Sequence, residues 1–134
     1  MKNFPMIEVA LVSDELLDAQ HKVILSYMAK IRAIFLLDKK DEDLPVLMDR
    51  LETFCKLHLW DEERVMEKMS FPEIEEHRAE HALFIMHLGN FEGRYEELKC
   101  TKKIDELNFL KAWFLEHIET FDRRYAESYK RSTN

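Results

Sequence analysis

Ile74-Glu75-Glu76-His77-Arg78-Ala79-Glu80-His81-Ala82-Leu83-Phe84-Ile85-Met86-His87-Leu88 sets apolar or imidazole side chains at positions 74, 77, 81, 84 and 88, and Phe91 and Tyr95 continue the series. Steps of three and four mark one face of an α-helix. Two histidines therefore sit on a face that should turn toward a core. The neighbouring segments read the same way. The first carries Leu17, His21, Ile24, Met28, Ile31 and Phe35; the second Leu47, Leu51, Phe54, His58, Glu62, Val65 and Met69; the last Leu107, Leu110, Phe114, His117 and Phe121.

Turn signals separate these segments. Ser13 is a cap candidate for a helix over 13–37, with Asp14 and Glu15 suited to its positive end. The charged run Asp38-Lys39-Lys40-Asp41-Glu42-Asp43 reads as a solvated turn, and Pro45 falls where a first helical turn tolerates it. The second helix then reaches residue 69. Ser70-Phe71-Pro72 is a tight break before a helix over 73–99, and Cys100-Thr101-Lys102 is a break before one over 104–128. Short connections make consecutive helices antiparallel neighbours. The expected fold is all-α, an up-down-up-down four-helix bundle. It forms one domain over 1–134, with an arm at 1–12, the bundle at 13–128 and a tail at 129–134.

Composition agrees. Two glycines and three prolines in 134 residues are too few turn formers for an all-β sandwich. Twenty Lys and Arg against 27 Asp and Glu give a net charge of −7, which repels phosphate backbones, so nucleic acid is not an expected partner. The longest stretch without a charged residue is the eleven from His81 to Phe91, short of the ~20 a membrane span needs. The N-terminus, Met1-Lys2-Asn3-Phe4-Pro5-Met6-Ile7-Glu8, lacks the apolar run of a signal peptide. Cys55 and Cys100 make no disulfide scaffold and suit a reducing compartment. A cytoplasmic location follows as the expectation.

Five of the six histidines, with Glu62, thus lie on inward faces. A buried imidazole needs partners for both nitrogens, and an unpaired buried carboxylate is strongly unfavourable. One such histidine is ordinarily satisfied by a hydrogen bond. Six polar groups, at least one from every helix, are hard to satisfy among themselves, and a metal satisfies them together. His77 and His81 stand four apart, as do His58 and Glu62, so each pair can reach one ion from one face. Asp122 lies five residues beyond His117, about 140° around a regular helix. It is either an exposed aspartate or a ligand brought round by a π-bulge.

Together His21, His58-x-x-x-Glu62, His77-x-x-x-His81 and His117-x-x-x-x-Asp122 resemble the seven-ligand signature of the hemerythrin family. Leu17-Asp18-Ala19-Gln20-His21-Lys22 resembles the family's D-x-Q-H-K segment. His58-Leu59-Trp60-Asp61-Glu62-Glu63, followed by Met66 and Phe71-Pro72, resembles its H-F-x-x-E-E…M…Y-P stretch. Trp113-Phe114-Leu115-Glu116-His117-Ile118 completes the match, which covers about 14–126. Residues 6–12 lack the tryptophan common in the family's N-terminal arm.

The resemblance implies two iron ions (Fe2+/Fe3+) in the bundle. His77, His81 and His117 would hold one, and His21 and His58 the other. Glu62, Asp122 and an oxo or hydroxo group would bridge them, leaving one position open on the two-histidine iron. It implies reversible dioxygen binding for storage, transport or delivery rather than catalysis, with Ile24, Phe54, Trp113 and Phe114 as apolar candidates for the O2 pocket. Sensing of O2, redox state or nitric oxide is the alternative, followed by a di-iron enzyme handling peroxide or nitric oxide. No glutamate stands three residues before any histidine, which disfavours the Glu-x-x-His oxygenases. The chain carries no signalling module, which favours a free carrier, a monomer or small homo-oligomer.

The remaining residues are expected to be structural. His87 falls off the seam, Cys55 should be a buried inert thiol, and Trp60 should point away from the metal. Asp61 and Glu63 should share a solvated face with Glu73, Glu75 and Glu76.

Overall fold

The computed structural model describes residues 14–68, 70–124 and 127, with the side chains of 14–18, 65, 121 and 122 outside that description. Ser13, the N-terminal arm and the tail therefore lie outside the described residues, as do the inward placements expected of Leu17, Val65, Met69 and Phe121. Every regular element among the described residues is helical. Helix α1 spans Asp14–Leu37, α2 Leu44–Lys68, α3 Ile74–Arg94 and α4 Cys100–His117. Each helix packs on two neighbours, α1 on α2, α2 on α3, α3 on α4 and α4 back on α1. That closed ring is the expected four-helix bundle.

With no glycine after α1 or α2, the left-handed stops fall on Asp38 (φ 51°) and Ser70 (φ 52°), residues whose short polar side chains tolerate that conformation better than branched ones do. Asp38 N–H donates to Phe35 O at 3.0 Å, and Phe71 N–H closes α2 by donating to Met66 O at 3.0 Å. Asp41 Oδ1 accepts from Asp43 N–H at 2.8 Å just before α2, and Pro45 occupies its first turn.

The third connection differs from the sequence reading. Helix α3 ends at Arg94 rather than 99 and tightens into a 3-10 turn over Tyr95–Glu97. Leu98 and Lys99 are then extended, so Cys100, read as part of a break, opens α4. The α2 seam also departs from expectation. Leu44, Met48, Leu51, Cys55, His58, Leu59, Glu62 and Met66 are buried, whereas Phe54 is 41% exposed. Cys55 takes the inward position because steps of four from Leu51 and of three to His58 keep the buried line on one face. Cys55 is buried as expected, and burial, with the Glu92 and Glu52 carboxylates, pushes its thiol pKa upward.

The core is divided along its length. Ile31, Phe35, Leu51, Leu88, Phe91, Leu107 and Leu110 belong to one continuous apolar cluster. The buried histidines come instead from the N-terminal half of α1, the C-terminal half of α2, the start of α3 and the end of α4. Antiparallel helices bring those four segments to the same end of the bundle. No helix among the described residues is long and apolar enough to cross a membrane.

Candidate metal centre

Glu62, on α2, has no exposed surface. Its Oε1 lies 3.2 Å from His77 Nε2, 3.0 Å from His81 Nε2 and 3.9 Å from His117 Nε2. Its Oε2 faces the other way, 3.5 Å from His58 Nε2. One potential ligand atom from each of Glu62, His77, His81 and His117 falls within 4.8 Å of the others. Around an ion with bonds of about 2.1 Å, adjacent octahedral donors stand about 3.0 Å apart and opposite ones about 4.2 Å. The separations from Glu62 Oε1, 3.0 to 3.9 Å, lie in that range, so three α3 and α4 imidazoles and one carboxylate oxygen fit a shared ion with small adjustments. Nitrogen and oxygen donors of this kind suit iron.

Outer partners set which ring nitrogen faces inward. His81 Nδ1 lies 2.7 Å from Glu63 Oε2. A carboxylate only accepts, so Nδ1 donates to Glu63 and Nε2 is the nitrogen that faces Glu62, open to a cation once it has given up its proton. His58 Nδ1 likewise donates to Gln20 Oε1 at 2.5 Å. Trp113 stacks on His117 with ring planes 9° apart and centroids 5.1 Å apart, and it also stacks on Phe84 at 4.6 Å. Those contacts fix the orientation of the His117 ring.

Burial disfavours the Glu62 carboxylate, yet the imidazoles of His117, His77 and His81 hold its pKa well below the ordinary value. Burial likewise opposes the charged form of His81, while hydrogen bonds to Glu62 and Glu63 keep its pKa raised. The cluster thus already balances charge across the position where a cation would sit.

His21 stands beside this cluster rather than within it. Its ring meets His58 edge-on at 5.0 Å and Phe114 at 5.6 Å. The backbone around Asp122 forms a π turn over Ile118–Asp122, directly after His117. A π turn bonds residues five apart and so brings position 122 round toward the face of His117. The side chain of Asp122 lies outside the described residues.

Of the apolar candidates, Ile24 and Phe114 are fully buried and Trp113 is half-buried. Phe54 instead faces a cavity of about 160 Å³ between α1 and α2, shared with Val23, Ile24, Leu57, His58 and Asp61.

Two residues assigned to a solvated face are placed otherwise. Asp61 is buried, with burial pushing its pKa up against the pull of Arg64. Glu63 is 24% exposed and bonded to His81. Both flank the inward seam, at positions that apolar periodicity assigns to solvent. The need of each inward imidazole for an outer acceptor was the signal for Glu63 and for Gln20. Trp60 is exposed, as expected, under the guanidinium of Arg64. His87 is half-buried beside Phe109.

Comparison with known proteins agrees with this geometry. Residues 12–127 match the family model described as the hemerythrin HHE cation binding domain. A bacteriohemerythrin of Clostridium acetobutylicum is 25% identical over 116 residues, covering 83% of this chain and 89% of that protein. A bacteriohemerythrin of Methylococcus capsulatus is 23% identical over 108 residues, 81% of this chain and 82% of that one. No solved structure matches the chain significantly. Family membership and the buried cluster of histidines and glutamate together support iron binding. With the match spanning most of its length, the chain belongs to the hemerythrin family.

Proposed function

We propose that this protein binds dioxygen reversibly at a di-iron centre, as a carrier or store rather than an enzyme. The observation that carries this reading is the division of Glu62, whose two oxygens face different sets of histidines. That placement supports a bridge between two ions. His77, His81 and His117 would hold one, His21 and His58 the other, and Asp122 would supply the second carboxylate bridge. Two ferrous ions there would supply the electrons with which dioxygen is held and returned.

The chain's own residues prepare the site for that ligand. Phe114 packs edge-on to both His21 and His58, with centroids at 5.6 and 6.5 Å. It keeps water from the two-histidine side and leaves an apolar wall where a small uncharged gas is tolerated. Ile24 lies buried on the same side and also borders the cavity between α1 and α2. That cavity of about 160 Å³ reaches His58 from a rim containing Phe54, and it gives a diatomic gas an apolar approach.

The test is spectroscopic. Iron-loaded protein, reduced without air and then exposed to O2, should gain a visible absorption that disappears under inert gas and returns on re-exposure. Irreversible oxidation on first contact would rule out a carrier.

A further inference from the structure

The outer partners of His81 and His58 differ in charge. Behind His81 stands the Glu63 carboxylate, 2.7 Å from Nδ1. Behind His58 stands the neutral amide of Gln20, 2.5 Å from Nδ1. Both imidazoles are buried, so the difference acts through a region where solvent screens little. Glu63 is also held in place. Arg78 Nε lies 3.7 Å from Glu63 Oε1, leaving Oε2 for His81. The same guanidinium bonds to Glu75 at 2.7 Å and to Glu67, so it spans α2 and α3 and is itself tethered.

A carboxylate accepting from Nδ1–H gives the imidazole more anionic character and strengthens its hold on a cation, most of all on a more highly charged one. An amide does so far less. We propose that Glu63 and Gln20 are positioning residues that polarise the metal pair: the His77/His81/His117 side stabilises the ferric state more than the His21/His58 side does. This rests on the di-iron reading above.

The step affected is a one-electron couple. A ferric ion held there would take one electron from a mediator in solution and become ferrous. Negative charge behind a ligand favours the ferric side and lowers the potential. In the native protein the three-histidine side should therefore be reduced last.

Mediator titration of the iron-loaded full chain, with iron counted per chain, tests this. The native protein should show two separated steps. Glu63→Gln should raise the lower step by about 59 mV, a tenfold change in the ferric-to-ferrous affinity ratio for a one-electron couple, and narrow the gap. Gln20→Glu should lower the upper step by a similar amount and narrow it from the other end. Glu63→Asp should restore most of the native separation.

Zinc affinity gives a redox-independent reading. Glu63→Gln should weaken one of two bound zinc ions by about 10- to 100-fold and leave the other within a few-fold. A purely structural role would instead shift both steps together or weaken both zinc ions alike, and either result overturns the proposal. Two ions per chain with unmoved potentials would overturn the proposal while leaving the di-iron reading intact. One ion per chain would overturn both.

Discussion

Glu62 is fully buried and has four imidazole nitrogens within 3.9 Å, those of His58, His77, His81 and His117. An isolated carboxylate so placed would be protonated; here the surrounding imidazoles keep it ionised despite burial. Glutamine at this position preserves volume but removes the charge and one acceptor oxygen. Glu62→Gln should therefore lower iron affinity by more than about 100-fold, beyond the range typical of an outer partner, and lower thermal stability with it. His58→Ala should do the same by removing the imidazole opposite Oε2. Metal content per chain and a thermal melt, measured on the same preparations, check both effects. A full iron complement with unchanged melting in Glu62→Gln would exclude it as a ligand.

At the scale of elements, the first two helix ends were readable and the third was not. The charged run 38–43 and Ser70-Phe71-Pro72 announce their turns by composition, and the structure turns there. The α3 to α4 connection has no proline, and Tyr95 and Leu98 interrupt its charges at Arg94, Glu96, Glu97 and Lys99. Tyr95 keeps its inward position in a 3-10 turn, so the apolar period runs on past the true end of α3. Periodicity cannot separate a final α turn from a 3-10 turn that buries the same side chain.

The α2–α3 contact carries a further consequence. The Glu52 carboxyl acts on Glu92 across this contact, Glu52 pairs with Lys56 at 2.9 Å, and Asp49 adds negative charge. Burial first, then Glu52, raises the Glu92 pKa to about 8. A folded pKa above the unfolded one means the native state holds the proton more tightly. Stability from this group is therefore lost as pH climbs from about 4.5 toward 8. Glu92→Gln should flatten that decline and melt higher than the native protein at pH 8, with little difference near pH 5. Thermal melts across that range decide it; parallel curves for both proteins would mean that Glu92 carries no raised pKa.

For the whole molecule, the histidine and glutamate positions were legible because they lie on seams that any bundle must bury. The outer acceptors were not, since Gln20 and Glu63 occupy flanking positions that polar residues fill on any surface helix. Their role appears only when α1 approaches α2 and α2 approaches α3. The same division of the core predicts how stability depends on metal. The apolar end can bury its side chains unaided, whereas the other end gathers His21, His58, Glu62, His77, His81 and His117 away from solvent. Binding there is coupled to folding because the unfolded chain offers no preformed site. At a free metal concentration 1,000 times the dissociation constant, the stabilisation is about 4 kcal/mol, or about 15 °C in melting temperature for a chain of this size. Stripping iron with a strong chelator at neutral pH should lower the melting temperature by about that much, and adding back ferrous iron should restore it. Far-ultraviolet circular dichroism should change little, because the helices are held by the apolar end, while near-ultraviolet signals from Trp113, stacked on His117, should weaken. Equal melting temperatures with and without iron would show that the polar end is satisfied by its own hydrogen bonds.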